Sequence, residues 1–259
     1  MAKTGFFWTA KDSIKEKLVE SDTFGYLAVF VGQNVLSVFL NSTEDGYRRK
    51  FKDTEIEMSS PIHFSEFLTE KPLTGYVKNV DLDEANLVVD AGAYPGEFTI
   101  YAARKGAEVI ALEPDPENAE DLRENVRMNG LEDKVTVVEK GLWDEKDQKS
   151  FERDQEFGLG SQIEEDAEIT IQLDTLDHIA SEHGEPDFVK MDIEGAEIEA
   201  LKGAEEVLED VKPGFAIATY HIDEDGDKTC HEVEEILEKH GYDAETGYGR
   251  HLTTYGSPE

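Results

Sequence analysis

Two stretches of this sequence concentrate residue types that can do chemistry. The first, "NLVVDAGAYPGEFT" at 86–99, runs an apolar strand into Asp90 and then into Gly92 and Gly96. A turn without Cβ atoms lets a ligand lie against backbone N–H groups at the start of the following helix. Glu113 ends the next apolar run roughly 20 residues on, where a nucleotide-binding strand–turn–helix unit places the acid that accepts ribose hydroxyls. Together these features imply an adenosine-containing ligand, against the plainer alternative of a glycine turn that merely joins strand to helix. A dinucleotide turn of the G-x-G-x-x-G kind is not present: the third glycine is missing, Pro95 sits in the turn, and Glu97 would repel a diphosphate. A cationic sulfonium with an amino-acid tail suits an acid-flanked turn better, so the expected cofactor is S-adenosylmethionine. The expected cofactor-binding set is Asp90, Gly92, Ala93, Tyr94, Gly96, Thr99, Glu113, Pro114, Asp115, Gly141, Leu142 and Asp192.

The second stretch is "PDFVKMDIEGAEIEALKGAEEVL" at 186–208. Asp192 closes a strand and Glu194 stands two residues on, so an extended chain would point both carboxylates the same way. Glu197 falls in the first turn of the next helix, where negative charge suits the dipole. Either Asp192 or Glu194 could instead serve as a helix cap. His221 follows the strand "FAIATY" and has a side chain whose ordinary pKa, near 6.5, suits a general base. The catalytic candidates are therefore His221 first, then Asp192 and Glu194. These three groups would also suit a divalent ion, but no spacing of the H-E-x-x-H type supports one and no metal is expected. His63, His178, His183 and His251 read as ordinary surface or loop residues.

Elements that could position these residues alternate regularly from about residue 85. Strands are expected at 87–90, 108–113, 135–139, 169–173, 188–192 and 215–220, and helices at 97–105, 116–128, 196–208 and 229–240. Strands and helices of these lengths in alternation predict an α/β fold, a mostly parallel sheet with helices on both faces. Residues 144–167 are polar and predict an exposed loop or small hairpin, and 242–256 a closing hairpin. Residues 1–84 break this order and are dense in aromatics (Phe6, Phe7, Trp8, Phe24, Tyr26, Phe64, Phe67, Tyr76). The chain thus divides into an appended region, 1–84, expected to pack on or over the sheet, and a core, 85–259.

Composition sets the limits. The chain has 259 residues, 60 acidic against 25 basic, for a net charge of −35. Recurring apolar runs exclude an acidic disordered chain. The acidity fits a folded protein of a high-salt cytoplasm, where screening removes self-repulsion and surface carboxylates keep the protein hydrated. Nucleic acid is not an expected partner; the single basic cluster is Arg48-Arg49-Lys50-Phe51-Lys52. One cysteine, Cys230, excludes an internal disulfide and reads as a partly buried spectator. No run of roughly 18 apolar residues could span a membrane, and the expected location is the cytoplasm.

"VDAGAYPGEFT", "VIALEPDPENAEDLRENVRMNGL", "TLD" at 175–177 and "VKMDIEGAEIEALKGAEE", in this order and spacing, resemble the FkbM family of S-adenosylmethionine-dependent methyltransferases over about 86–221. The resemblance implies a Rossmann-like class I methyltransferase fold, with a seven-stranded sheet whose last strand is antiparallel. It also implies methyl transfer to a hydroxyl of a sugar or sugar-derived small molecule or glycan. By resemblance Asp90, Gly92 and Gly96 would hold the cofactor's methionine end, Glu113 its ribose and the segment around Gly141 and Leu142 its adenine. One departure stands out: Thr219 replaces an acid that relatives carry two residues before His221. Two rivals remain: an RNA methyltransferase with the same cofactor, and a non-catalytic binder of an adenosine ligand whose acceptor pocket is sealed by residues 1–84.

Overall fold

A computed structural model describes residues 41–42, 46–51, 54–60, 75–78, 80–152, 162–163, 169–221, 228–248 and 252–259. Most of the aromatic residues of the appended region, and His63 and His251, lie outside them.

Three strands, β1 (Asn41–Ser42), β2 (Tyr47–Phe51) and β3 (Thr54–Met58), form a small antiparallel sheet. The alternating region follows as β4 (Leu87–Ala91), α1 (Glu97–Lys105), β5 (Glu108–Leu112), α2 (Pro116–Met128) and β6 (Val135–Val138). A side sheet comes next, from β7 (Gly141–Leu142), β8 (Asp147–Glu152), β9 (Gln162–Ile163) and β10 (Ile169–Asp174), in the order β7-β10-β8-β9. The polar stretch expected as a loop or hairpin supplies β8 and β9, which pair antiparallel over the small core of Phe151, Ile171 and Leu173. The chain then runs through α3 (Leu176–His183), β11 (Phe188–Met191), α4 (Glu197–Lys202) and a π-helical turn at Val207–Val211. It ends with β12 (Gly214–Ala218), α5 (Cys230–Lys239), β13 (Tyr242–Tyr248) and β14 (Leu252–Pro258). The single long helix expected over 196–208 is therefore two pieces. Gly203 ends the first because it packs on the neighbouring loop, where a Cβ would lie 2.2 Å from the Trp143 carbonyl oxygen.

The main sheet has the order β13-β14-β12-β11-β4-β5-β6. All neighbours are parallel except β14, which runs antiparallel to both β12 and β13. This is the seven-stranded sheet, with its last strand antiparallel, that the family resemblance implied. Strand β4 is buried at every position, which is why it reads as an unbroken apolar run. Its side chains still alternate. Val88 packs with Phe98, Ile100, Leu122 and Val126 on the α1–α2 face. Val89 packs with Leu176, Ile179, Leu201, Val233 and Leu237 on the α3–α4–α5 face.

Part of the appended region belongs to the same core. Ile56 and Met58 are fully buried with Val88 and Leu122. Two helix asparagines fasten β3: Asn125 Oδ1 accepts the Ser59 N–H at 2.9 Å, and Asn129 Nδ2 donates to the Glu57 carbonyl at 2.6 Å. Asn125 also donates to the Pro95 carbonyl at 2.9 Å, so one buried amide ties the glycine turn to both α2 and β3.

Candidate functional site

Connections from β4 lead through β5 to β6 on one side, while β11 leads to β12 on the other, so strand order reverses between β4 and β11. Ligands of open parallel sheets bind beyond the carboxyl ends of the strands at such a point. The glycine turn leaves β4 there, and Asp192 follows β11 there.

Within the turn, backbone donors and missing side chains serve neighbouring protein. Gly92 N and Ala93 N both donate to the Leu112 carbonyl at 3.0 Å. Gly92 has φ +70, and a Cβ there would lie 1.9 Å from the Asp192 carbonyl oxygen; at Gly96, with φ +109, it would lie 2.6 Å from Leu122 Cδ1. Close packing against the tip of β11 at Gly92 and against α2 at Gly96 therefore demands these glycines. Asp90 is fully buried: Oδ2 accepts the Thr99 hydroxyl at 2.6 Å and Oδ1 lies 3.0 Å from Lys190 Nζ. Lys190 is the register partner of Asp90 on β11, and it also donates to the Gly92 carbonyl at 2.7 Å. Asp90 and Thr99, both in the expected cofactor-binding set, are thus held to each other and to Lys190 inside the protein, which fixes the turn. Sequence reading passed over Lys190. Its signal was a lone cation inside an apolar strand.

Glu113 faces the same turn from the tip of β5. Its Oε2 accepts the Tyr94 N–H at 3.3 Å and its Oε1 the Asp115 N–H at 3.0 Å. Burial pushes its pKa up to about 7, against the pull of those two donors. Asp115 is a helix cap, accepting the Glu117 N–H at 2.8 Å, with Pro116 in the first turn of α2. Leu142 is buried, whereas Gly92, Tyr94, Pro114, Gly141 and Asp192 remain partly exposed around the strand tips.

Asp192, Glu194 and His221 do come together. One ligating atom from each lies within 4.8 Å of the others. The backbone route differs from expectation: Glu194 has φ +55, so the chain turns left-handed there and is not extended. Such a conformation is costly for a residue with a side chain and aims it at a chosen point. Glu194 caps nothing, since α4 has Ala196 at its N-cap and no side-chain cap; its Oε2 instead lies 3.2 Å from His221 Nε2. Glu197, fully buried, places Oε1 3.1 Å from His221 Nδ1. Burial works against a charged ring, but the Glu194 and Glu197 carboxylates outweigh it and hold His221 up at about 10. The carboxylates beside the ring are further proton acceptors at hand.

Asp192 is held by two tyrosines. Tyr76 donates its hydroxyl at 2.8 Å, and Tyr220 at 3.4 Å. Tyr76 comes from the appended region, stands edge-on to Phe98 with centroids 6.0 Å apart, and its ring lies 5.6 Å from Lys190 Nζ. Its turn is pinned by the Tyr255 hydroxyl, which donates to the Gly75 carbonyl at 2.6 Å. Thr219, at the departure noted above, bonds Thr254 at 2.9 Å inside the sheet. The "TLD" segment is also structural. Thr175 accepts the His178 N–H as the cap of α3, and Asp177 accepts the Glu206 and Val207 N–H groups that start the π-helical turn.

Residues 90–244 match the Methyltransferase FkbM domain. The chain belongs to the FkbM methyltransferase family. Among solved structures, an FkbM methyltransferase from Methylobacillus flagellatus KT superposes with a TM-score of 0.51 at 26% identity, over 67% of this chain and 44% of that one. Among characterised sequences, a hexuronic acid methyltransferase, AglP, of Haloferax volcanii is 31% identical over 146 residues, 54% of this chain and 58% of that protein. A ribosomal protein L11 methyltransferase of Carboxydothermus hydrogenoformans is 36% identical over 91 residues, covering 35% of this chain and 28% of its own length. The chain thus spans between about a quarter and three-fifths of these FkbM-like and other methyltransferase relatives.

Proposed function

We propose that this FkbM-family chain transfers a methyl group from S-adenosylmethionine to a hydroxyl of a sugar or glycan-type acceptor. The observation that carries the reading is the meeting, at the switch point, of an acid-flanked glycine turn with the Asp192–Glu194–His221 group. The donor set fits a sulfonium nucleoside. Glu113 offers acceptor oxygens for ribose hydroxyls, Asp192 and Glu194 add negative charge, and the buried cation Lys190 is committed to Asp90 and the Gly92 carbonyl. A diphosphate would meet carboxylates where it needs donors.

When bound, the cofactor supplies an electrophilic methyl carbon on sulfur. The chain's part is alignment and proton removal; alignment of two reactants lowers such a barrier by about 7–11 kcal/mol. Lys190 fixes the turn, Asn125 fixes Pro95, and Tyr76 and Tyr220 fix Asp192. As the new oxygen–carbon bond forms and the carbon–sulfur bond breaks, the hydroxyl proton passes to a carboxylate of the Asp192–Glu194 pair. The products are a methyl ether and the neutral thioether. Residues 1–84 would cover the acceptor side, a role that the Tyr76 bond to Asp192 supports. The similarity to a hexuronic acid methyltransferase favours a sugar-acid acceptor, and the net charge of −35 favours a cell with a high-salt cytoplasm. Against an RNA acceptor, Arg48 of the basic cluster is engaged by the chain's own Glu57 at 2.7 Å and Glu55 at 3.3 Å.

Incubation of the protein with methyl-labelled S-adenosylmethionine, in about 1 M salt to screen its surface, with uronic-acid and neutral-sugar glycans and with RNA tests this. Label in the glycan fraction is expected. Label in RNA, or in neither fraction despite cofactor binding, would replace this reading by one of its rivals.

A further inference from the structure

The group formed by Asp192, Glu194 and His221 is built more heavily than proton removal requires. Behind it stands Glu197, with no exposed surface. One of its oxygens, Oε1, accepts the Ile193 and Gly195 N–H groups at 3.2 and 3.3 Å and lies 3.1 Å from His221 Nδ1. This carboxylate therefore organises both the loop that carries Asp192 and Glu194 and the ring that faces them. Among the described residues, its other oxygen, Oε2, and His221 Nδ1 are both buried without an aligned hydrogen bond, although Oε1 stands close to Nδ1. Three carboxylates converge on one imidazole, so an excess of negative charge stays there even if the ring is counted as a cation. Asp192 and Glu194 keep part of their surface exposed, but Glu197 and most of the ring are buried, where negative charge is costly unless positive charge compensates it, and Lys190 is turned to Asp90.

We infer that Asp192, Glu194 and His221 Nε2 form a divalent-cation site, with Glu197 as the carboxylate that orients the imidazole through Nδ1. An imidazole with a buried carboxylate beside one nitrogen and further oxygen ligands facing the other resembles a metal-bound histidine, and Nε2 would release its proton as the cation binds. Two carboxylates and one imidazole suit Mn²⁺ or Mg²⁺ and leave positions open for water or substrate oxygens. The use of those open positions to hold and polarise the acceptor hydroxyl rests on the function proposed above; binding of the cation does not. The sequence offered no metal spacing because the ligands come from the ends of two separate strands.

The test is titration of the full-length protein with Mn²⁺ alone, without cofactor or acceptor, in about 1 M KCl so that diffuse binding to the acidic surface is screened. Electron paramagnetic resonance of free Mn²⁺ is expected to show one site per chain. Glu194→Gln and His221→Gln are expected to weaken it at least tenfold, Glu197→Gln about ten- to a hundredfold, and His178→Gln not at all. Pulsed resonance is expected to show coupling to an imidazole nitrogen that His221→Gln removes and His178→Gln retains. Circular dichroism separates loss of the site from loss of the fold. If the site variants unfold, the nitrogen coupling in the otherwise intact His178→Gln protein decides alone. Weak, non-stoichiometric binding without nitrogen coupling, or coupling abolished by His178→Gln, overturns the inference. Failure to methylate any glycan would leave the titration result untouched, so the two readings fail separately.

Discussion

Among the described residues, two groups of Asp, Glu and His have converging ligating atoms, and they differ in everything but composition. Asp174, His178 and Glu182 lie four residues apart at and along α3, a ladder that any helix of this sequence would produce. Asp174 is buried but well compensated. It accepts from the Lys140 ammonium at 2.7 Å, the Thr175 N–H at 2.9 Å and His178 Nδ1 at 3.0 Å, and Lys146 lies 3.9 Å away. Burial works to raise its pKa, but these partners win and hold it below the ordinary carboxylate range. Asp192, Glu194 and His221 come from two strand ends, and lysine is turned away from them. Residue types alone do not make a site. Surrounding charge decides whether a carboxylate–imidazole group is a closed salt bridge or a place with work left to do.

The contrast can be broken experimentally, beginning with the largest effect. Asp192→Asn is expected to lower kcat by about a hundredfold to ten-thousandfold, once label transfer identifies an acceptor, with cofactor affinity changed far less. An equal loss in kcat for His178→Ala would erase the distinction. Lys190→Met leaves Asp90 buried without its cation, and a loss of about 3–5 kcal/mol in unfolding free energy is expected by denaturant titration. Glu113→Ala is expected to weaken S-adenosylmethionine binding by about 1–3 kcal/mol in calorimetry; unchanged affinity would remove Glu113 from the ribose.

A smaller, pH-dependent effect sharpens the same assignment. Glu113 is raised to about 7, with Tyr94 N, Asp115 and Asn118 as its neighbours. The folded state therefore holds a proton that the unfolded chain has lost between its ordinary pKa and about 7. That proton's contribution to stability is present at low pH and disappears as pH rises through about 7. Ribose hydroxyls donate to the ionised form, so affinity should rise up to about tenfold per pH unit below 7 and flatten above it. Glu113→Gln should abolish the slope. The smallest expected effect is that of His178→Ala, about 1 kcal/mol in stability from one lost bond to Asp174.

Much of the fold was legible because its signals are local. Helices α1 and α2 lie where glycine stops, Pro116 and the Asp115 cap put them, and the strands follow the apolar runs. The two-part helix at 196–208 was not legible, because Gly203 packs on Trp143, far away in sequence. The glycine turn was readable as a turn, but its glycines lie close to the Asp192 carbonyl and Leu122, contacts that the sequence spacing does not carry. Glu194 was readable as a candidate, but its left-handed backbone and its pairing with His221 were not.

By itself, the sequence determined the alternation of strands and helices, the acid-flanked turn and the three candidate catalytic residues, since these depend on periodicity and residue chemistry over short spans. Only the tertiary structure decided which side chains are consumed by the protein and which still face the strand tips. That division depends on desolvation and on charges brought close from distant parts of the chain: Lys190 across to Asp90, Glu197 behind His221, Tyr76 over Asp192. Electrostatic interactions follow distance in space and not along the chain.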